Sequence, residues 1–267
     1  CGDTLNPGAL GALAAHLDLR PLHARGIALS GMRLSGPGGE LVVGRYPRAV
    51  TGLAVTRLVL DGWLLDRARE AGVAVEDGVL VRGPHRAGGV VQGVTVATPA
   101  GDRVHPARLV LGCDGRQSAL ARACGVATTP ARPRRWAFGA YADGIDGVAA
   151  DFGEMHVRDG SYLGLAPVAG GLTNVCLVLP RQRAAAAVTA PWDAIRRAVA
   201  GDDLLRDRFA GARLASAPVV LGPMAVDVSR PGVPGLLLAG DASGFVDPMT
   251  GDGLRLAIDG ALLAAEV

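Results

Sequence analysis

The run Gly235-Leu-Leu-Leu-Ala-Gly-Asp-Ala-Ser-Gly-Phe-Val-Asp-Pro-Met-Thr-Gly-Asp-Gly-Leu254 decides the reading of this chain. Residues 235–239 read as a short apolar strand, of the kind a parallel sheet buries on both faces. Gly240 permits a close turn at its end. Asp241 then stands where a carboxylate can accept hydrogen bonds from ribose or ribitol hydroxyls. Pro248, Gly251 and Gly253 bring bare backbone N–H groups to the start of a helix expected over residues 254–267, which opens with Leu254. Such a helix start stabilises negative charge.

The same grammar occurs once more, in Leu109-Val-Leu-Gly-Cys-Asp-Gly-Arg-Gln-Ser-Ala-Leu-Ala-Arg122. A short apolar strand runs into Asp114-Gly115, and a helix is expected over residues 118–124. Asp-Gly is a common turn by itself; its meaning comes from the pairing with Gly240-Asp241. Strands of this type form open α/β sheets, and ligands bind at their carboxyl ends.

Between these runs the pattern changes. Residues 6–19 have helical spacing, with Asn6 as N-cap and Pro7 in the first turn. Short β-prone runs lie at 27–29 and 41–43 in a Gly-rich stretch. Residues 57–71 form a helix with Leu60, Leu64, Leu65 and Ala68 on one stripe, stopped by Gly72. A strand at 73–75 and a meander at 79–81, 90–97 and 103–105 follow. Pro and Arg crowd residues 128–135, where a domain boundary is expected. Beyond it, strands at 136–141, 154–157, 162–165 and 173–179 are expected to be antiparallel, with hairpin turns at Asp159-Gly160 and Gly170-Gly171. A helical stretch over 191–210, which Gly201 can break, leads to a second boundary near Gly222-Pro223.

Composition narrows the function classes. Hydrophobic residues make up 49% and charged residues 19% of 267, enough for a sizeable core. A net charge of +2 argues against a nucleic-acid surface. All basic residues are Arg, so lysine Schiff bases and P-loop chemistry are excluded. The spacing of Cys1, Cys113, Cys124 and Cys176 fits neither a metal site nor a dense disulfide framework, and no metal is expected. No run is long enough for an integral membrane span, no signal peptide is visible, and a reduced, cytoplasmic setting is expected.

The runs around Asp114 and Asp241 resemble the second and third FAD-fingerprint motifs of the para-hydroxybenzoate hydroxylase superfamily. The opening Cys1-Gly2-Asp3-Thr4-Leu5-Asn6-Pro7 is similar to the cysteine-glycine segment of its geranylgeranyl reductases and of flavin-dependent halogenases. Arg57 resembles the arginine these proteins place near the FAD pyrophosphate. The resemblance implies an α/β, Rossmann-like FAD/NAD(P)-binding domain, discontinuous over residues 1–130 and 223–267. An inserted antiparallel β-sheet substrate domain would occupy 131–222. It implies FAD as cofactor, contacted by Cys1, Arg57, Asp114, Gly115, Gly240, Asp241, Pro248, Gly251, Gly253 and Leu254, and NAD(P)H as reductant. Reduced flavin is an anion, which a glycine-rich helix start would favour.

Two departures qualify this. The family's GxGxxG βαβ unit, with the acidic residue after its second strand, is absent and is expected to precede this chain. Without it, the chain alone is expected to be unstable and to hold FAD weakly. The reductases' Tyr-x-Trp-x-Phe-Pro run corresponds to Tyr162-Leu-Gly-Leu-Ala-Pro167, which keeps Tyr and Pro but loses both large apolar groups. The halogenases' Trp-x-Trp-x-Ile-Pro run and catalytic Lys have no counterpart, which disfavours halogenation. The expected function is therefore an FAD-dependent oxidoreductase whose flavin NAD(P)H reduces. It then oxygenates, as a monooxygenase, or reduces a small to medium apolar substrate. The alternatives are a geranylgeranyl-reductase-like C=C reductase and a non-catalytic FAD-fold remnant.

No catalytic side chain is singled out. Tyr46 and Tyr162 are candidate substrate contacts, although a strand tyrosine is more often a packing residue. His156 is expected at an exposed strand position. Arg132, Arg134 and Arg135 read as a solvated linker rather than an NADPH phosphate site.

Overall fold

The structure, a computed structural model, describes residues 3–131 and 134–267. It contains two compact units. One gathers the described residues up to Leu65, Arg134–Pro223 and Pro248–Asp252; the other gathers those from Asp66 to 131, Met224–Asp247 and Gly253–Val267.

The first unit is built on a long sheet. Its strands run in the order Arg213–Leu214, Arg135–Asp143, Leu172–Pro180, Ser161–Val168, Phe152–Arg158, Gly31–Ser35, Leu41–Arg45. Arg135–Asp143, Leu172–Pro180, Ser161–Val168 and Phe152–Arg158 are antiparallel neighbours. The Asp159-Gly160 hairpin turn is permitted by a left-handed Gly160 (φ +66°). Strand alternation then sorts the side chains. Phe138, Ala140, Ala142, Leu163, Leu165, Val175, Leu177 and Leu179 form one core with Ala194, Ile195 and Val199 of the helix Pro191–Ala200. Tyr141 and Asn174, directly opposed in register, fall on the other face.

The second unit carries the parallel strands. Val110–Gly112 and Leu236–Leu238 pair with Val110 opposite Leu236 and Gly112 opposite Leu238. Val91, Val110, Leu120, Val126, Leu236 and Leu238 form its core. Gly235 is required at the strand entrance: its φ is +81°, and a Cβ would stand 1.9 Å from the Val91 carbonyl oxygen. The meander Val81–Ala87, Val90–Thr98, Gly101–Pro106 is antiparallel.

The structure corrects several expectations. Residues up to Leu65 cluster with the antiparallel sheet, not with the rest of 1–130, because Gly31–Ser35 pairs in parallel with Phe152–Arg158. A parallel pair needs a long crossover, and the intervening chain supplies it without any local signal. The first helix is only Pro7–Ala14, followed by Arg20–His23, although Asn6 does cap it through Ala9 N–H (2.9 Å). Residues 73–75 form no strand, and Val73 is more than half exposed. The helix expected over 191–210 stops at Ala200. There Asp202 accepts the Leu204 N–H (3.0 Å) and pairs with Arg158, which competes with continued helix. No described helix is long and apolar enough to cross a membrane.

Candidate functional site

In the second unit, the parallel register brings the two acid turns together at adjacent strand ends. Gly112 leads to Cys113-Asp114-Gly115, and its partner Leu238 leads to Ala239-Gly240-Asp241. Asp114 is already engaged within its own turn. Its Oδ2 accepts the N–H groups of Ala119 (2.8 Å) and Leu120 (3.4 Å), capping the short helix Ala119–Ala123. Beside it, burial and then the Asp114 charge raise the Cys113 thiol pKa, which keeps the thiol protonated. Asp241 is half-buried in the short 3₁₀ turn Gly240–Ser243. Gly240 has φ +59°, and a Cβ there would meet Ala257 Cβ at 3.4 Å. The helix Gly253–Ala265 thus packs directly over the Gly240 turn, with Gly253 and Leu254 at its start.

In the first unit, Asp252 is bonded to the opening segment. Asn6 Nδ2 donates to Asp252 Oδ1 (2.8 Å), while Asn6 Oδ1 caps its own helix. Arg57 begins the helix Arg57–Glu70; Asp61 engages its Nε at 2.9 and 3.2 Å, and about half of each side chain is exposed. Cys1 lies outside the described residues.

The substrate-side candidates are also in the first unit. Tyr46 is half-buried against Gly52, and burial raises its phenol pKa. Tyr162 is 4% exposed, lies under the Arg135 guanidinium, and borders a groove of about 680 Å³ that His156, Arg158, Arg183, Arg197 and Asp202 also line. Arg135 is therefore a strand residue over an aromatic ring rather than a solvated linker, and Arg132 lies outside the described residues.

His156 overturns its expectation: it is 4% exposed. Ser35 Oγ meets its Nδ1 at 2.8 Å and Glu154 Oε2 meets its Nε2 at 3.0 Å. Arg208 pairs with Glu154 through both carboxylate oxygens, 2.8 and 3.1 Å. Burial alone would raise the Glu154 pKa; the His156 hydrogen bond and the Arg208 ion pair outweigh it and lower the pKa to about 2. Strand parity places Glu154 and His156 on the helix-covered face, opposite Leu165 and Leu163.

A second polar cluster has no counterpart among the expected site residues. Asp3, 3% exposed, accepts the Tyr141 phenol O–H and the Asn174 Nδ2–H (3.2 Å). The only sequence signal is Asp3's place within the opening motif; nothing local ties residues 3, 141 and 174 together.

These residues fit an FAD dinucleotide on one point of geometry. In the second unit Gly115 is left-handed (φ +75°), and open space stands where a Cβ would project there and at Gly253. Bare backbone at the carboxyl ends of parallel strands allows close approach of a phosphate chain or a flat ring.

No family model matches the chain. Over 240 residues it is 32% identical to digeranylgeranylglycerophospholipid reductase 2 of Methanothermobacter thermautotrophicus, covering 88% of this chain and 59% of that protein. Its fold is similar to that of the myxobacterial chondrochloren halogenase, one of the FAD-dependent halogenases, with a TM-score of 0.90 and 21% identity over 99% of this chain and 64% of that one. It is also similar to a geranylgeranyl bacteriochlorophyll reductase-like protein of Thermoplasma acidophilum, with a TM-score of 0.78 and 22% identity over 100% of this chain and 67% of that one.

Over most of its length the chain is thus similar to digeranylgeranylglycerophospholipid reductases, and it shares the fold of FAD-dependent flavoproteins. It spans between 52% and 62% of the lengths of these curated relatives.

Proposed function

We propose that this chain is the greater part of an FAD-dependent reductase that saturates carbon–carbon double bonds of a polyprenyl lipid. The observation that carries the reading is the parallel register that sets Asp114-Gly115 and Gly240-Asp241 side by side, in a chain whose curated relatives are reductases of this kind. The sequence alone puts oxygenation first; the relatives favour the geranylgeranyl-type alternative. The Tyr162 run, with Gly164 and Ala166 in place of large apolar groups, would leave a less bulky wall, which bears on the lipid accepted rather than on the chemistry.

Asp241 would accept hydrogen bonds from ribityl or ribose hydroxyls. Asp114 would hold the Gly115 turn open by capping its helix. Arg57 would offer its guanidinium to the pyrophosphate, with Asp61 orienting it. Pro248, Gly251, Gly253, Leu254 and Cys1 would border the isoalloxazine, and Tyr46 and Tyr162 the substrate. When bound, flavin takes hydride from a nicotinamide donor and passes it to the alkene.

Full-length protein loaded with FAD and supplied with NADPH and a digeranylgeranyl glycerophospholipid under nitrogen is expected to add hydrogen in pairs to the lipid, read by mass spectrometry. A product that gains oxygen when air is admitted, with no hydrogenation under nitrogen, would replace this reading by a monooxygenase.

A further inference from the structure

Adding hydrogen across an alkene takes a hydride and a proton. The reduced flavin of the proposed function supplies the first; the second needs an acid on the protein. The cluster Asp3–Tyr141–Asn174 has the required parts. Tyr141 is half-buried, and its O–H is held by the buried Asp3 carboxylate. Asn174 opposes Tyr141 in register and braces Asp3 through Nδ2. Asn174 Oδ1 is buried with no hydrogen-bond partner, an acceptor left open beside the cluster. The cluster is also tied to the region assigned to the flavin. Asp3 stands three residues before Asn6, at most about 10 Å of chain, and Asn6 is bonded to Asp252 between Gly251 and Gly253.

We propose that Tyr141 is the proton donor of the reduction, with Asp3 as its relay partner and Asn174 as a positioning residue. This rests on the reductase reading above. FAD, held by the residues assigned above, would supply the hydride that forms one C–H bond and would itself be left oxidised. The Tyr141 O–H bond breaks as the second C–H bond forms, and the phenolate so formed regains a proton from solvent by way of the Asp3 carboxylate. The environment favours this division of labour. Burial raises the Asp3 pKa against the lowering hydrogen bond from Tyr141. Burial, then the hydrogen bond to Asp3, raises the Tyr141 pKa, so the resting phenol keeps its proton until the alkene takes it.

The experiment compares full-length wild type with Tyr141→Phe and Asp3→Asn. Tyr141→Phe keeps the ring and is expected to bind FAD and lipid as wild type does. It should slow reoxidation of reduced flavin by the lipid by about 10²–10⁴-fold, with KM unchanged. In D₂O, wild type is expected to place one deuterium per reduced bond at the carbon that received no hydride, with a solvent isotope effect that Tyr141→Phe loses. A readout free of turnover is the ultraviolet titration of the phenol in FAD-free protein: Asp3→Asn should lower the Tyr141 pKa. Wild-type turnover matched by Tyr141→Phe overturns the donor role alone. A wild type that leaves the alkene untouched sinks the reductase reading and the donor role with it. An unshifted phenol in Asp3→Asn refutes the relay.

Discussion

The strand ends of the second unit and the long sheet of the first show two ways of building a polar site. Asp114 and Asp241 each sit in a contiguous strand–turn–helix run, and one register brings the two runs together. Asp3–Tyr141–Asn174 and Ser35–His156–Glu154–Arg208 each draw on segments more than a hundred residues apart. The first kind is written in local spacing; the second exists only once the sheet has formed. The second kind also binds its charges more tightly, because it is buried among apolar side chains where unpaired polar groups are costly.

The largest expected effect breaks the buried network. Glu154→Ala leaves His156 and Arg208 without their shared carboxylate, and is expected to cost about 3–5 kcal/mol in chemical denaturation. An exposed pair such as Arg57–Asp61 cannot approach that. The same carboxylate sets an acid limit. The folded pKa of Glu154, about 2, lies below its ordinary 4.5, so its stabilisation is complete above pH 4.5 and is lost as pH falls towards 2. Glu154→Gln should flatten that part of the stability–pH curve; a curve unchanged from wild type would contradict the assignment.

The strand-end carboxylates should separate binding from stability. Asp241→Ala is expected to weaken FAD binding by about tenfold or more, the loss of a charge-assisted hydrogen bond of about 1.5–3 kcal/mol, measured by fluorescence titration. Asp114→Ala acts chiefly on the fold. It uncovers the Ala119 and Leu120 N–H groups and should cost about 0.5–2 kcal/mol in thermal unfolding, with Asp114→Asn much milder. Equal effects of the two on FAD affinity would erase the contrast. Smallest is Arg57→Gln, which should change stability by less than about 0.5 kcal/mol, so any loss of FAD affinity reports the pyrophosphate contact itself.

What is legible in the sequence follows the same division. The strands ending at Gly112 and Leu238, the hairpin turns at Gly160 and Gly170, and the Asn6 cap are local decisions, set by glycine conformation and side-chain capping within a few residues. The pairing of Gly31–Ser35 with Phe152–Arg158 is a long-range parallel contact with no local marker, so spacing alone misgroups the first 65 residues. His156 misleads for the same reason. An isolated histidine in an alternating strand looks exposed, and only the arrival of Ser35 and Arg208 makes its burial tolerable. The helix from Pro191 ends at Gly201, the break that this glycine signals, and Asp202 beyond it bonds Leu204 N–H and Arg158.

The most direct measurement is the anaerobic reoxidation of reduced flavin in the full-length protein by an added polyprenyl alkene, followed by absorbance. Carbon–carbon double-bond reduction at this site predicts a bound flavin that NADPH reduces and that the alkene reoxidises in proportion to the double bonds consumed. A protein with no flavin to reduce, or a reduced flavin that the alkene leaves unchanged and only oxygen reoxidises, would contradict it.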